Sequence, residues 1–181
     1  MAADLLSQAE HDPMASSILV TTSRRLAEDT AKEIDKFVPE LSRREIIEKS
    51  LEQYGFIFVA EDMDSAIAAV NDIASEHLEL MTKDNFAILP LIRNAGAIFM
   101  GEYSSEPLGD YFAGPDHILP TNGTAKYFSP LNVDDFVKKS SIISYSKDAL
   151  YRDHQDIIQF AKKEGLTAHA NSIAVRFGEK I

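Results

Sequence analysis

The sequence has no cysteine in 181 residues, which removes disulfides, thiolate metal sites and cysteine nucleophiles together and fits a reducing compartment. Any metal bound here must therefore sit on nitrogen and oxygen donors. No stretch approaches the ~20 apolar residues of a membrane span, and the acidic N-terminus lacks the charged-then-apolar layout of a signal peptide. A soluble cytoplasmic protein is the expectation. No G-x-G occurs, so the dinucleotide fingerprint is absent, and neither a P-loop nor a G-x-S-x-G elbow is present. Basic residues are scarce: Lys+Arg 18 against Asp+Glu 29 leaves a net charge of −11. That charge is spread along the chain and its field repels phosphates, so nucleic acid and anionic membranes are poor partners. There is no internal repeat, low-complexity segment or flexible Gly/Ser linker.

What is present is a 45% hydrophobic chain, enough for one sizeable core, or a main domain with a short appendage. Leu5 and Leu6 lie in a helix-permissive segment that Pro13 stops, leaving Gln8 and His11 near a helix end. The β-branched run Ser17–Thr22 predicts a strand, and Ser23 is a candidate N-cap for a helix through Phe37. A helix over Arg43–Tyr54 leads into an apolar run, Gly55–Ala60. A further helix from about Asp64 to Ala74 has Ala66, Ile67, Val70 and Ile73 on one face. Asn85–Arg93 is a candidate helix and Gly96–Met100 a buried strand. Three short apolar strands separated by helices predict an α/β fold with a parallel sheet over residues 1–130. Beyond Pro130 a small, mainly helical appendage is expected over 131–181: Val133–Lys139, a strand at Ile142–Tyr145, Lys147–Lys163, a break at Gly165, then Ala168–Phe177. Its apolar content is too small for a free-standing domain.

Gly101–Ser129 holds four glycines and three prolines, too long for an ordinary connection, and long ordered loops tend to carry function. Within it, Asp110 and His117 are presented by a glycine-bounded stretch in which Gly109 and Gly114 would let backbone approach a ligand closely. Gln8-x-x-His11 places an amide and an imidazole on one helix face. Glu76-His77 sets a carboxylate beside an imidazole, a pairing able to divide base and water-activating duties. Glu164 and His169 flank a glycine break near the C-terminus. His154 lies on a highly charged helical face and reads as surface. Taken alone, the Gln8/His11, Glu76/His77 and Glu164/His169 motifs read more readily as solvated helix ends or an exposed histidine, while the Asp110/His117 loop divides about evenly between that and a site. Together Gln8, His11, Asp110 and His169 would offer two imidazoles, one carboxylate and one amide oxygen, a set suited to zinc. Spacing by itself does not assemble those four.

The order and separation of Ala3–Asp12, Ala74-Ser-Glu-His-Leu78, Arg93–Phe99, Gly109-Asp-Tyr, His117 and Leu119-Pro-Thr121 resemble histidinol dehydrogenase along nearly the whole chain. The resemblance implies a Rossmann-like domain, incomplete here, and zinc held by Gln8, His11, Asp110 and His169. It makes Glu76 and His77 the catalytic pair and gives His117 and Glu164 substrate contacts, so that all eight positions line the substrate site. It implies oxidation of L-histidinol through the aldehyde to L-histidine with two NAD, His77 taking the hydroxyl proton and Glu76 activating water. It also implies a homodimer whose C-terminal segment delivers His169 to the neighbouring zinc. Asp116 stands where the family more often has Asn, adding charge beside His117. Family members are more than twice as long, and the NAD site is expected mostly outside this chain. Catalysis by the chain alone is therefore not expected, and a non-catalytic zinc-binding or oligomerising remnant is the alternative reading.

Overall fold

The structure, a computed structural model, describes residues 1–180. The chain divides into Met1–Phe136 and a second unit beginning at Val137. The first unit opens with α1 (Ala2–Ala9), which stops short of His11. Leu6 and Ala9 of α1 are buried against Val38 and Ile47, with Ile34, Leu41 and Leu51 packed around them. Removing side chains the size of Leu6 or Ile47 from water contributes about 1.5–3 kcal/mol each. β1 (Ser17–Thr21) follows, then α2 (Arg24–Phe37), α3 (Arg44–Tyr54) and β2 (Gly55–Val59). As expected, Ser23 caps α2, its hydroxyl accepting from the Leu26 amide at 3.2 Å. β1 and β2 pair in parallel, Ser17 opposite Gly55 through Thr21 opposite Val59. Parallel strands need a long crossover, here supplied by two helices.

The second half of this unit repeats the plan with α4 (Met63–Ile73), β3 (His77–Leu80), α5 (Asn85–Ile88) and β4 (Ala97–Met100). β3 and β4 are also parallel, His77 opposite Ala97 through Leu80 opposite Met100. The fold is α/β, an incomplete Rossmann-like arrangement, but the single three-stranded sheet is corrected to two separate two-stranded sheets. The overlooked strand is His77-Leu-Glu-Leu80. Its polar residues made it read as a helix end, whereas its alternation is that of a half-buried strand. The candidate helix at Asn85–Arg93 is one short α-turn followed by a 3-10 turn, Leu89–Leu91. β2 leaves Phe56, Ile57, Phe58 and Val59 exposed. Within the long Gly101–Ser129 segment, one helical turn, α6 (Glu106–Leu108), runs directly into a π-helical turn, Gly109–Ala113.

The expected helix at Val133–Lys139 is reduced to a 3-10 turn, Val133–Phe136. The strand expected at Ile142–Tyr145 is absent; those residues are exposed and have no pairing partner among the described residues. In the second unit α7 (Lys147–Lys163) and α8 (Thr167–Ala174) enclose a small core of Ile158, Ala161, Ala170 and Ala174, with Ile173 beside it. The turn between them passes through Gly165 at φ +76°, a conformation glycine adopts without a Cβ penalty.

His154 corrects its surface reading, being 6% exposed on the inner side of α7. Its ring stacks on Tyr151 at 4.9 Å and tilts against Phe177 at 4.7 Å. Nδ1 faces the Tyr151 carbonyl and Nε2 lies 3.0 Å from Glu179 Oε1, which ties the C-terminal turn to α7. The Tyr151 carbonyl and then the Glu179 carboxylate raise the imidazole above its ordinary value of 6.5, against desolvation. The His154 contact in turn lowers Glu179 below its ordinary 4.5. A raised base stabilises below its unfolded pKa and loses that contribution as pH rises through the folded value; a lowered acid does the reverse. Hydrogen-exchange protection of α7 and Val175–Glu179 is therefore expected to be greatest between about pH 4.5 and 6.5. It should decline on either side of that window, and His154→Leu should flatten the profile.

Candidate metal centre

α4 ends at Ala74, fully buried and left-handed at φ 51°, ψ 56°. A left-handed alanine costs roughly 1–2 kcal/mol, and here it turns the chain into Ser75-Glu76-His77. The ladder then fixes that turn: the Gly96 amide donates to the Ser75 carbonyl at 2.9 Å and the Ala97 amide to the Glu76 carbonyl at 2.8 Å. His77 is thus the first residue of β3, its ring 5.9 Å from that of Phe99 on β4. Both imidazole nitrogens are shut off from solvent and neither has a hydrogen-bond partner. Leaving a buried polar group unpaired costs about 1–3 kcal/mol, so this ring is held ready for something else.

On the facing side, Gly109 rests on the Phe99 ring; a Cβ at this position would lie 2.5 Å from it. The close approach that this glycine permits is therefore to an aromatic side chain rather than to a ligand. Gly114, left-handed at φ +99°, borders open space. The π-turn, a distortion frequent at functional sites, carries Asp110, whose Oδ1 lies 3.9 Å from His77 Nε2. One turn earlier, Glu106 is 8% exposed. The Ser7 hydroxyl on α1 donates to its Oε2 at 3.4 Å, and its own amide donates to Glu79 Oε1 at 3.1 Å.

One donor atom from each of His77, Glu106 and Asp110 lies within 4.8 Å of the others. Burial, then the Asp110 carboxylate, push Glu106 above the usual carboxylate range, while His77 and His11 pull it back. Burial and then Asp4 likewise raise Glu79, opposed by the Glu106 amide. Among the described residues no Lys or Arg pairs with Glu106 or Asp110. The cluster is thus acidic, partly buried and without a basic partner among the described residues. Nitrogen and carboxylate oxygen donors with no sulfur are ones zinc accepts, and of this cluster Asp110 is the residue shared with the expected set Gln8, His11, Asp110 and His169.

The remaining expected site residues are more scattered. Gln8 is half-buried in the last turn of α1, and His11 is exposed just beyond it and outside the 4.8 Å group. Glu76 is half-buried and His117 is exposed. Asp116, beside His117, accepts from the Ile118 amide at 2.8 Å and so closes a local turn. Glu164 caps α7 and His169 lies on α8, both exposed in the second unit. Glu106 was missed by the sequence reading. The signal was its i,i+4 spacing to Asp110, which puts both carboxylates on one helical face, but Pro107 and Gly109 disguised the turn.

A sequence-family model described as histidinol dehydrogenase matches residues 1–177. The chain is 59% identical over 177 residues to histidinol dehydrogenase of Caldanaerobacter subterraneus, covering 98% of this chain and 41% of that protein. It is 57% identical over 176 residues to the Bacillus subtilis protein, covering 97% and 41%. The crystal structure of histidinol dehydrogenase from Elizabethkingia anophelis matches with a TM-score of 0.81 at 34% identity, over 97% of this chain and 40% of that one. The chain therefore spans about two-fifths of the length of these relatives.

The packing of Gly109 on Phe99 makes a direct prediction. Gly109→Ala forces the ring off its site, and overpacking of this kind costs about 1–3 kcal/mol. The midpoint of denaturant unfolding should fall accordingly; an unchanged midpoint would mean that the Phe99 ring swings freely and does not brace His77.

Proposed function

Because this chain belongs to the histidinol dehydrogenase family, we propose that it carries the zinc and substrate site for NAD-linked oxidation of L-histidinol to L-histidine. The observation that supports this reading best is the meeting of His77, Asp110 and Glu106 around two dry, unpartnered imidazole nitrogens. Gln8, His11, Asp110 and His169 would hold the metal. Bound there, zinc would supply Lewis-acid anchoring of the imidazole and amino nitrogens of the substrate. His77 takes the hydroxyl proton on a ring nitrogen, a task to which an imidazole is suited near neutral pH. Phe99 behind it limits how far the ring can retreat. Glu76 activates water for attack on the aldehyde carbon, and His117 and Glu164 grip the substrate ends. The cofactor's site lies mostly outside this chain, in a cytoplasmic homodimer.

A second reading is a non-catalytic zinc-binding or oligomerising remnant, suggested by the chain's spanning about two-fifths of the length of its relatives. Calorimetry of the purified chain separates the two from failure of both. Zinc should bind, histidinol should bind only after zinc, and Asp110→Ala should abolish both heats because it removes the single anionic ligand of the proposed set. Histidinol binding equally well to the metal-free chain would overturn the substrate site, and zinc bound without any histidinol response would leave the remnant. NAD added to the ternary mixture should yield no NADH from this chain alone.

The homodimer is proposed to exchange C-terminal segments, so that His169 and Glu164 complete the partner's site. α7, with 17 residues, spans roughly 25 Å at 1.5 Å per residue, a reach adequate for crossing to a neighbour. Exchange between identical chains is a low-cost route to a dimer. Mixing His11→Ala chains with His169→Ala chains should restore one intact four-ligand site per heterodimer. Zinc uptake by the mixture no greater than by either parent would exclude the exchange.

A further inference from the structure

We propose that Glu106 is a further residue of the metal centre, the buried carboxylate that supplies the second negative charge for the cation, with Ser7 aiming it. The inference deepens the metal reading of the same site and rests on it. The ligand set Gln8, His11, Asp110 and His169 contains one anion, so a divalent ion held by it alone would leave one positive charge uncompensated. At a partly buried site such a charge is costly, because solvent screens it less than at the surface. Glu106 answers that deficit from within the pocket. It is 8% exposed, it shares the 4.8 Å cluster with Asp110 and His77, and it has no Lys or Arg partner among the described residues.

Two further contacts separate Glu106 from an incidental buried acid. Ser7, whose hydroxyl donates to Oε2, immediately precedes Gln8 on α1. The Glu106 amide donates to Glu79 on β3, two residues beyond His77. Glu106 is thereby tied to the element carrying Gln8 and to the strand carrying His77, and it lies one turn from Asp110. Groups that orient ligands in this way are each worth roughly 10–100-fold in metal affinity. Without a cation, however, Glu106 sits against the Asp110 carboxylate, an arrangement that opposes folding. A residue kept for packing would stabilise the metal-free chain; Glu106 should not.

The test measures zinc affinity by competition with a chromophoric chelator and metal-free thermal stability, in the full chain and in Glu106→Gln and Ser7→Ala. Glu106→Gln keeps the shape and removes the charge. It should weaken zinc binding at least tenfold while the metal-free melting temperature stays level or rises, and Ser7→Ala should weaken binding by a few-fold. A Glu106→Gln chain that binds zinc as tightly as the parent overturns the proposal, and so does one whose affinity loss accompanies a lowered metal-free melting temperature. Should Glu106→Gln fail to fold, Ser7→Ala alone decides, since unchanged affinity there removes the aiming contact. A parent chain that binds no zinc would sink the metal reading itself, whereas an unaffected variant of a zinc-binding parent sinks only the role of Glu106.

Discussion

Negative charge without a counter-cation, gathered where α1, β3 and the α6 turn meet, is the constraint on which the rest of the first unit depends. Glu106 and Asp110 converge on His77 there, Glu79 accepts from the Glu106 amide, and burial raises Glu79 and Glu106 above their usual range. Water screens them only in part, and no basic side chain among the described residues pairs with Glu106, nor any Lys or Arg with Asp110. Such a grouping persists only if surrounding packing over-determines it. The surrounding packing does so here. The Leu6, Ala9, Val38 and Ile47 cluster fixes α1 beneath Ser7 and Gln8, and the β3–β4 ladder fixes His77.

The route from packing to chemistry runs through Phe99. Its ring touches both His77 and the Gly109 backbone, so the strand that presents His77 and the turn that presents Asp110 share one aromatic wedge. In the first unit, the left-handed Ala74 and the π-turn at Gly109–Ala113 are the two backbone irregularities that bear on His77 and Asp110. Each re-aims a side chain that regular geometry would send elsewhere, Glu76 and His77 in the first case, Asp110 in the second. Local strain is thus concentrated where site residues are placed.

Those irregularities also mark where the sequence was readable and where it was not. The βα step from Ser17 to Phe37, the Ser23 cap, α3 and α7 were legible because period and capping residues agree there. β3 was not, because His77-Leu-Glu-Leu80 alternates polar and apolar over only four residues. Phe56 to Val59 form a strand as an apolar run would suggest, yet that run says nothing about cover, and the strand is exposed. His154 was misread because a helix rich in charge can still turn one imidazole inward. Asp110 and His77 were named from motif and resemblance, and the structure brings them within 3.9 Å. Glu106 escaped because Pro107 and Gly109 disguise the helical turn that its i,i+4 spacing to Asp110 marks, and because its burial is not encoded in that spacing.

Two-stranded sheets are marginal on their own, and this chain has two of them. Their stability must come from what clamps the segments together. The contact between Ser7 and Glu106 joins residues 99 apart in sequence, but a single 3.4 Å hydroxyl contact is weak against the entropy of closing so long a loop. A cation held jointly by residues of α1 and of the π-turn would close the same loop with far greater free energy, since metal binding by segments that meet only in the folded state is folding free energy. The anionic cluster therefore has opposite signs in the two states. Metal-free, its carboxylates oppose one another at the junction of α1, β3 and α6; with a cation held there they would tie that junction, so that order at the site and order in the first unit would rise together.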